Sequence, residues 1–272
     1  MRVSSSLKIF LFLIFSISLK SCRKDPIIEP VVKGYDVVLI VGQSNNYFGE
    51  GLDALTAYPI SENIKQLGRK DSLNYQLIPA IDPLQNHTLH ESKGSYSLTF
   101  AKYYEENVLQ KPNKLLLVPC AMYGSSFKNN QWHKGDDLYE DAVLRVNYIL
   151  EHYKNSEVKA ILCHQGESDV GNPEYVTALD SFIINLRADI GNSEIPFILG
   201  GMVPFWVKQK NDRINQQNNI KDTPSRVAYT RYVDPEIPFV IEKPDNSVDS
   251  IHYSALGLRE LGFRYYKAYT TF

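Results

Sequence analysis

Residues 36–46 read DVVLIVGQSNN, and this stretch decides the fold. Asp36 to Val41 is a continuous apolar run rich in β-branched residues, bounded by a turn signal at Gly42. A half-exposed strand would alternate polar and apolar residues. An unbroken run of this length suits a strand covered on both faces, as in a parallel sheet. The polar GQSNN turn of Gly42 to Asn46 follows at once. A serine in a tight turn after a strand exposes its hydroxyl and its own N–H in the same direction. Ser44 therefore offers a nucleophile and one oxyanion donor, although the same residues also suit an ordinary polar turn.

Working outward, KLLLVP (Lys114 to Pro119), KAILC (Lys159 to Cys163) and PFILGG (Pro196 to Gly201) repeat the pattern. YQLIPAI near Tyr75 and RVAYT near Arg226 are weaker strand candidates. Helical stripes lie between the strands. One places Leu138, Ala142, Val146, Ile149 and Tyr153 on one face, and another Tyr175, Leu179, Phe182, Leu186 and Ile190. Asn172 before Pro173 reads as an N-cap with proline at the first helical position. Leu256 to Tyr269 forms a closing helix. Strand and helix in alternation predict an α/β fold, a three-layer α/β/α sandwich around a mostly parallel sheet. Ligands in such a fold lie beyond the carboxyl ends of the strands.

Three further motifs fall just after strands or before the last helix. MYGSS (Met122 to Ser126) puts Gly124 where backbone N–H groups can approach a substrate oxygen. HQGESD (His164 to Asp169) puts the Gln165 amide at a strand end, where it can donate to an oxyanion. Its plain alternative is a solvent-facing Gln165 with Glu167 or Asp169 capping a helix. Asp249-Ser250-Ile251-His252 places a carboxylate three residues before an imidazole, which it can orient and stabilise. Its plain alternative is a capped helix start. There is no G-x-x-x-x-G-K-[ST] or G-x-G-x-x-G phosphate loop.

Taken together, GQSN, GSS, HQGESD and DxxH resemble the blocks of the SGNH hydrolases, in the branch of sialic-acid-specific acetylesterases and acetylxylan esterases. The resemblance runs from about Val37 to Tyr266 and includes GSYSLTFAKYY and Trp132. It implies the SGNH-hydrolase (flavodoxin-like) fold and a catalytic set of Ser44 as nucleophile, His252 as base and Asp249 as its partner. Ser44, Gly124 and Gln165 would form the oxyanion hole. It also implies a serine esterase acting on O-acetyl esters of carbohydrates, such as acetylated xylan or O-acetyl sialic acid, with no metal or organic cofactor. Asn46 and the pair Cys163-His164 depart from the family pattern in ways that bear on the acyl pocket. A lipase or thioesterase on the same fold is the alternative enzyme. A carbohydrate-binding lipoprotein with a lapsed site is the alternative outside enzymes, and Ser44, Asp249, His252 and Gln165 all standing in place argue against it.

The chain has 272 residues, with 29 Lys and Arg against 31 Asp and Glu. Scattered charge near neutrality argues against a nucleic-acid or anionic-membrane partner. Arg2 and Lys8 precede an apolar run from Ile9 to Leu19, too short for a membrane span and therefore read as a signal peptide over 1–21. Ser21-Cys22 resembles a bacterial lipoprotein cleavage box, with Lys20 departing from it. Cys22 would then carry the lipid anchor, 22–34 would be a tether and 35–272 the esterase domain, held in the cell envelope of a bacterium. Cys120 and Cys163 each end an apolar run and read as buried thiols rather than a disulfide framework.

His87, His90 and Glu91 hint at a metal site, but a surface loop is the favoured alternative because no further ligand cluster accompanies them. Trp132, Trp206, Tyr47 and Phe127 are candidates for stacking on sugar rings, and equally for core packing. Lys208 to Asp222 reads as a solvated helix or loop.

Overall fold

In the computed structural model, five consecutive side chains of the first strand, Val37 to Val41, are each at most 1% exposed. Neighbouring residues of a strand point to opposite faces, so both faces of this strand are covered. The structure describes residues 34–51, 61–89, 91, 93–242 and 249–272. The signal peptide, Cys22, all but Gly34 of the tether, and His90 lie outside the described residues.

Seven strands form one sheet: β1 (Tyr35–Gly42), β2 (Ile64–Leu67), β3 (Leu77–Pro79), β4 (Lys114–Pro119), β5 (Glu157–His164), β6 (Phe197–Gly200) and β7 (Thr230–Val233). Their order is β3-β2-β4-β1-β5-β6-β7. All neighbours pair parallel except β2 and β3. The chain crosses from β4 over β1 to β5, so the sheet's switch point falls at the carboxyl end of β1.

The helices are α1 (Ser97–Asn107), α2 (Asp137–His152), α3 (Tyr175–Ile190), the short α4 (Pro204–Val207), α5 (Asn211–Lys221), the short α6 (Thr223–Arg226) and α7 (Ala255–Tyr269). α1 packs on α7, and α2 on α3. The stripes expected for α2 and α3 are buried, apart from half-buried Tyr153 at the end of α2, while Leu144 and Ile184 on the outer faces are exposed. The three-layer architecture follows.

Some local expectations shift. RVAYT is not a strand: Thr223–Arg226 is helical and β7 begins at Thr230. β2 carries Lys65 and Gln66 among its four residues, so its apolar signal is too weak to find. Asn172 does not cap α3, which begins at Tyr175; its Oδ1 accepts from Glu174 N at 3.1 Å in the preceding turn. Lys208 to Asp222 contains α5, a mostly solvated helix that buries Gln216 and Ile220. No helix among the described residues is long and apolar enough to cross a membrane.

Candidate active site

The GQSNN turn is set by close contact between β1 and β5. Gly42 has φ +110°, and a Cβ there would lie 2.2 Å from the His164 carbonyl oxygen, so only glycine fits. Gln43 N donates to that same carbonyl at 2.8 Å. Asn46 locks the turn from beneath: its Nδ2 donates to Gln43 O at 2.8 Å and His164 O at 3.1 Å, and Tyr96 OH donates to its Oδ1 at 2.6 Å. Asn46 holds the backbone of the turn, and its side chain is fully buried. Gln43 Oε1 accepts from Ser168 N at 3.2 Å, tying the turn to the loop after β5.

On this base Ser44 opens a short 3₁₀ turn, and its Oγ meets His252 Nε2 at 2.9 Å. His252 Nδ1 lies 2.7 Å from Asp249 Oδ2. The other carboxylate oxygen accepts from Ile251 N and His252 N, both at 3.1 Å, which fixes Asp249 within its own turn. Helix α7 is capped separately by Ser254, whose Oγ accepts from Gly257 N at 3.0 Å. The DxxH motif is therefore not a helix cap. Ser44 and His252 are nearly buried, and the Phe48 and Tyr123 rings stand 4.4 and 5.8 Å from the His252 ring.

Gly124 has φ +68°, with nothing within 4 Å of where a Cβ would stand. The backbone conformation, rather than crowding, calls for glycine there. Neither the Gly124 N–H nor the Ser44 N–H donates to another described residue. The loop is pinned to the nucleophile turn, since Met122 N and Ser125 Oγ both donate to Gly42 O, at 2.9 and 3.2 Å. Trp132 is buried and donates from Nε1 to Ser125 Oγ at 2.8 Å. It braces this loop and offers no sugar-stacking face. Tyr47, Phe127 and Trp206 are buried too; the exposed ring near the site is Tyr123.

Gln165 is buried, not solvent-facing, and its Nε2 donates to Asp169 Oδ2. Neither acid of HQGESD is a helix cap. Glu167 faces His164 Nε2 at 3.1 Å and Asn45 Nδ2 at 2.6 Å, with both side chains of the His164–Glu167 pair fully buried. Burial alone would raise the Glu167 carboxyl; the adjacent imidazole and the Asn45 amide outweigh it and hold it below the usual range. His164 thus lies beneath the site. Asn45 was not singled out in the sequence, yet it also donates to Ile251 O at 2.9 Å and accepts from Tyr253 N at 3.1 Å. The only available signal was its place inside GQSNN.

His87 Nε2 lies 3.1 Å from Asp141 Oδ2, which also takes Arg69 at 2.8 Å. It belongs to an ion-pair network, and no group of three or more candidate metal ligands occurs among the described residues.

A serine, imidazole and carboxylate in one hydrogen-bonded line at the switch point of a doubly wound sheet define an α/β/α hydrolase of the SGNH type. Residues 34–271 match the family described as carbohydrate esterase, sialic acid-specific acetylesterase, and the chain belongs to that family. A probable carbohydrate esterase of Arabidopsis thaliana is 40% identical over 87 residues, covering 30% of this chain and 32% of that protein. The match therefore spans about a third of the length of that curated relative. The crystal structure of NanS superposes with TM-score 0.75 at 18% identity, over 90% of this chain and 98% of that one. An Arabidopsis thaliana protein does so with TM-score 0.70 at 22% identity, over 87% and 98%. A carbohydrate acetylesterase from Xanthomonas citri gives 0.61 at 13% identity, over 86% and 55%. At these identities the structural likeness concerns the fold.

Proposed function

We propose that this protein is a serine esterase that removes acetyl groups from a carbohydrate. The observation that carries this is the line Ser44 Oγ–His252 Nε2–Asp249, at 2.9 and 2.7 Å, with the Ser44 and Gly124 N–H groups donating to no other described residue. His252 Nε2 takes the Ser44 proton as Oγ attacks the acetyl carbonyl. Asp249 holds the ring with Nδ1–H toward it and stabilises the imidazolium. The Ser44 and Gly124 N–H groups and the Gln165 amide serve the oxyanion. The tetrahedral intermediate then collapses, and the imidazolium protonates the departing sugar oxygen, which leaves as a hydroxyl. Water, deprotonated by His252, releases acetate from Ser44 by the reverse route. No metal or organic cofactor enters any step.

Family membership supports the acetyl and carbohydrate halves of this reading. The test is a series of aryl esters from acetyl to octanoyl, then acetate release from acetylated xylan and from O-acetylated sialic acid. A closed acyl pocket gives rates that fall steeply with chain length, because methylenes that do not fit cost about 1–3 kcal/mol. Faster turnover of butyryl or octanoyl esters overturns the acetylesterase in favour of a lipase. No hydrolysis of any ester by folded protein favours a binding module.

We also propose that residues 1–21 direct export from a bacterial cytoplasm and that Cys22 is acylated, leaving the esterase domain on a tether in the cell envelope. Two or more acyl chains suffice for stable anchoring. Cys22→Ser should move the protein from the membrane to the soluble fraction; a variant still sedimenting with membranes sinks the anchor.

A further inference from the structure

Asp169 is fully buried and its two oxygens accept four hydrogen bonds. Gln165 Nε2 and Phe127 N, the latter at 2.9 Å, reach Oδ2. Lys128 N at 2.9 Å and Asn172 Nδ2 at 3.0 Å reach Oδ1. Two of these donors belong to the loop that carries Gly124, and one is the Gln165 side chain itself. We propose that Asp169 is a positioning residue that sets two of the three oxyanion donors at once, the Gln165 amide and the Gly124 loop. The inference rests on the esterase reading above.

The amide half follows from the chemistry of a carboxamide. A glutamine side chain turned over by 180° exchanges an N–H donor for a carbonyl acceptor, and a flipped Gln165 would present oxygen to an oxyanion. Gln165 Oε1 has no hydrogen-bond partner among the described residues, so nothing at that end decides the orientation. Asp169 decides it, because an ionised carboxylate only accepts. One hydrogen of Nε2 is committed to Asp169, and the second remains for the oxyanion.

The loop half follows from where the strap is tied. At one end, Met122 N and Ser125 Oγ bond to Gly42 O beside the nucleophile. At the other, Phe127 N and Lys128 N bond to Asp169. Gly124 lies between Met122 and Ser125 at the Gly42 end of this strap, three residues before the Asp169 anchor, in a conformation with no crowding to hold it. Its N–H direction is therefore inherited from both anchors. The hydrogen bonds of the Ser44–His252–Asp249 line are made without Asp169.

The test is steady-state hydrolysis of an aryl acetate by the full chain carrying Asp169→Asn, alone and combined with Gln165→Ala. Asparagine keeps the shape but brings an N–H against donors, so kcat should fall by about tenfold to a hundredfold. KM should stay within about twofold, because the donors act on charge that develops in the transition state. The midpoint of the pH–rate profile should not move, since His252 and Asp249 are untouched. In the Gln165→Ala background, Asp169→Asn should cost several-fold less than in the wild type, the mark of one residue acting through another. A loss carried by KM, a shifted midpoint or fully additive losses overturn the proposal. If Asp169→Asn does not fold, Asn172→Ala decides. It loosens the same carboxylate from a half-buried position and should lower kcat several-fold at constant KM; unchanged kcat overturns the proposal. A wild type that turns over no ester sinks the esterase and this role together, whereas an active wild type with an indifferent Asp169→Asn sinks this role alone.

Discussion

The Asn45 amide nitrogen lies 2.6 Å from Glu167 Oε1, joining the residue after the nucleophile to a carboxylate buried beyond the carboxyl end of β5. The same nitrogen donates to Ile251 O, and Asn45 Oδ1 accepts from Tyr253 N, so this one side chain ties the segment bearing His252 to the nucleophile turn. Asn45→Ala leaves Glu167 short of a donor and the Tyr253 N–H short of an acceptor. A loss of about 2–6 kcal/mol is expected, at roughly 1–3 kcal/mol per orphaned group. Urea unfolding measures it, and turnover should fall alongside because the Ser44–His252 distance is no longer enforced. A variant as stable as the wild type would show that His252 is placed by α7 alone.

Ser44→Ala should abolish turnover without unfolding the protein, since it deletes one oxygen and no core volume. Asp249→Asn should leave residual activity, lowered by roughly 10³- to 10⁴-fold through the wrong imidazole tautomer. An undiminished rate in either variant, measured on an aryl acetate with folding checked by circular dichroism, removes that residue from the mechanism.

Gln165→Ala should cost on the order of a hundredfold in kcat, the usual effect of losing one oxyanion donor. KM should change little. If the loss instead appears in KM alone, Gln165 holds the ground-state substrate.

Asp141 bears on stability rather than chemistry. Burial tends to raise its carboxyl, but hydrogen bonds from His87 and Arg69 and the charges of Arg69 and Arg145 hold it well below the usual carboxylate range. A folded-state value below the unfolded one, about 3.9, means stability fully present above that pH and lost progressively as pH falls from there through the folded-state value. Asp141→Asn should therefore lower the urea midpoint at pH 7, with the gap to wild type closing below about pH 4. A gap independent of pH would assign the effect to packing.

Cys120 and Cys163 are free and buried, and burial pushes the Cys120 thiol up to about 12 and raises Cys163 as well. Thiolate is the reactive form. Neither thiol should react with a disulfide reagent in the native protein at pH 8, and both should titrate after denaturation without reductant. Rapid labelling of folded protein would show that β4 or β5 opens.

What the sequence alone determined is everything carried by near neighbours along the chain. Unbroken apolar runs marked β1, β4, β5 and β6, because strands buried on both faces cannot alternate. The 3.6-residue stripes marked α2 and α3. Asp249 and His252 were legible as a pair because three residues and a turn bring them together unaided. Tertiary structure alone decided the contacts between distant segments. Ser44 and His252 are 208 positions apart and meet only because the sheet order brings the end of β1 beside the start of α7. Asn45, Asn46 and Asp169 look like any polar turn residues until packing buries them and presents their partners. Trp132 and Phe127, open to a surface role in the sequence, went to the interior, since an aromatic ring carries no mark of which face it will meet. Propensity and period are local quantities, whereas burial and hydrogen-bond partners are set by which surfaces close on one another.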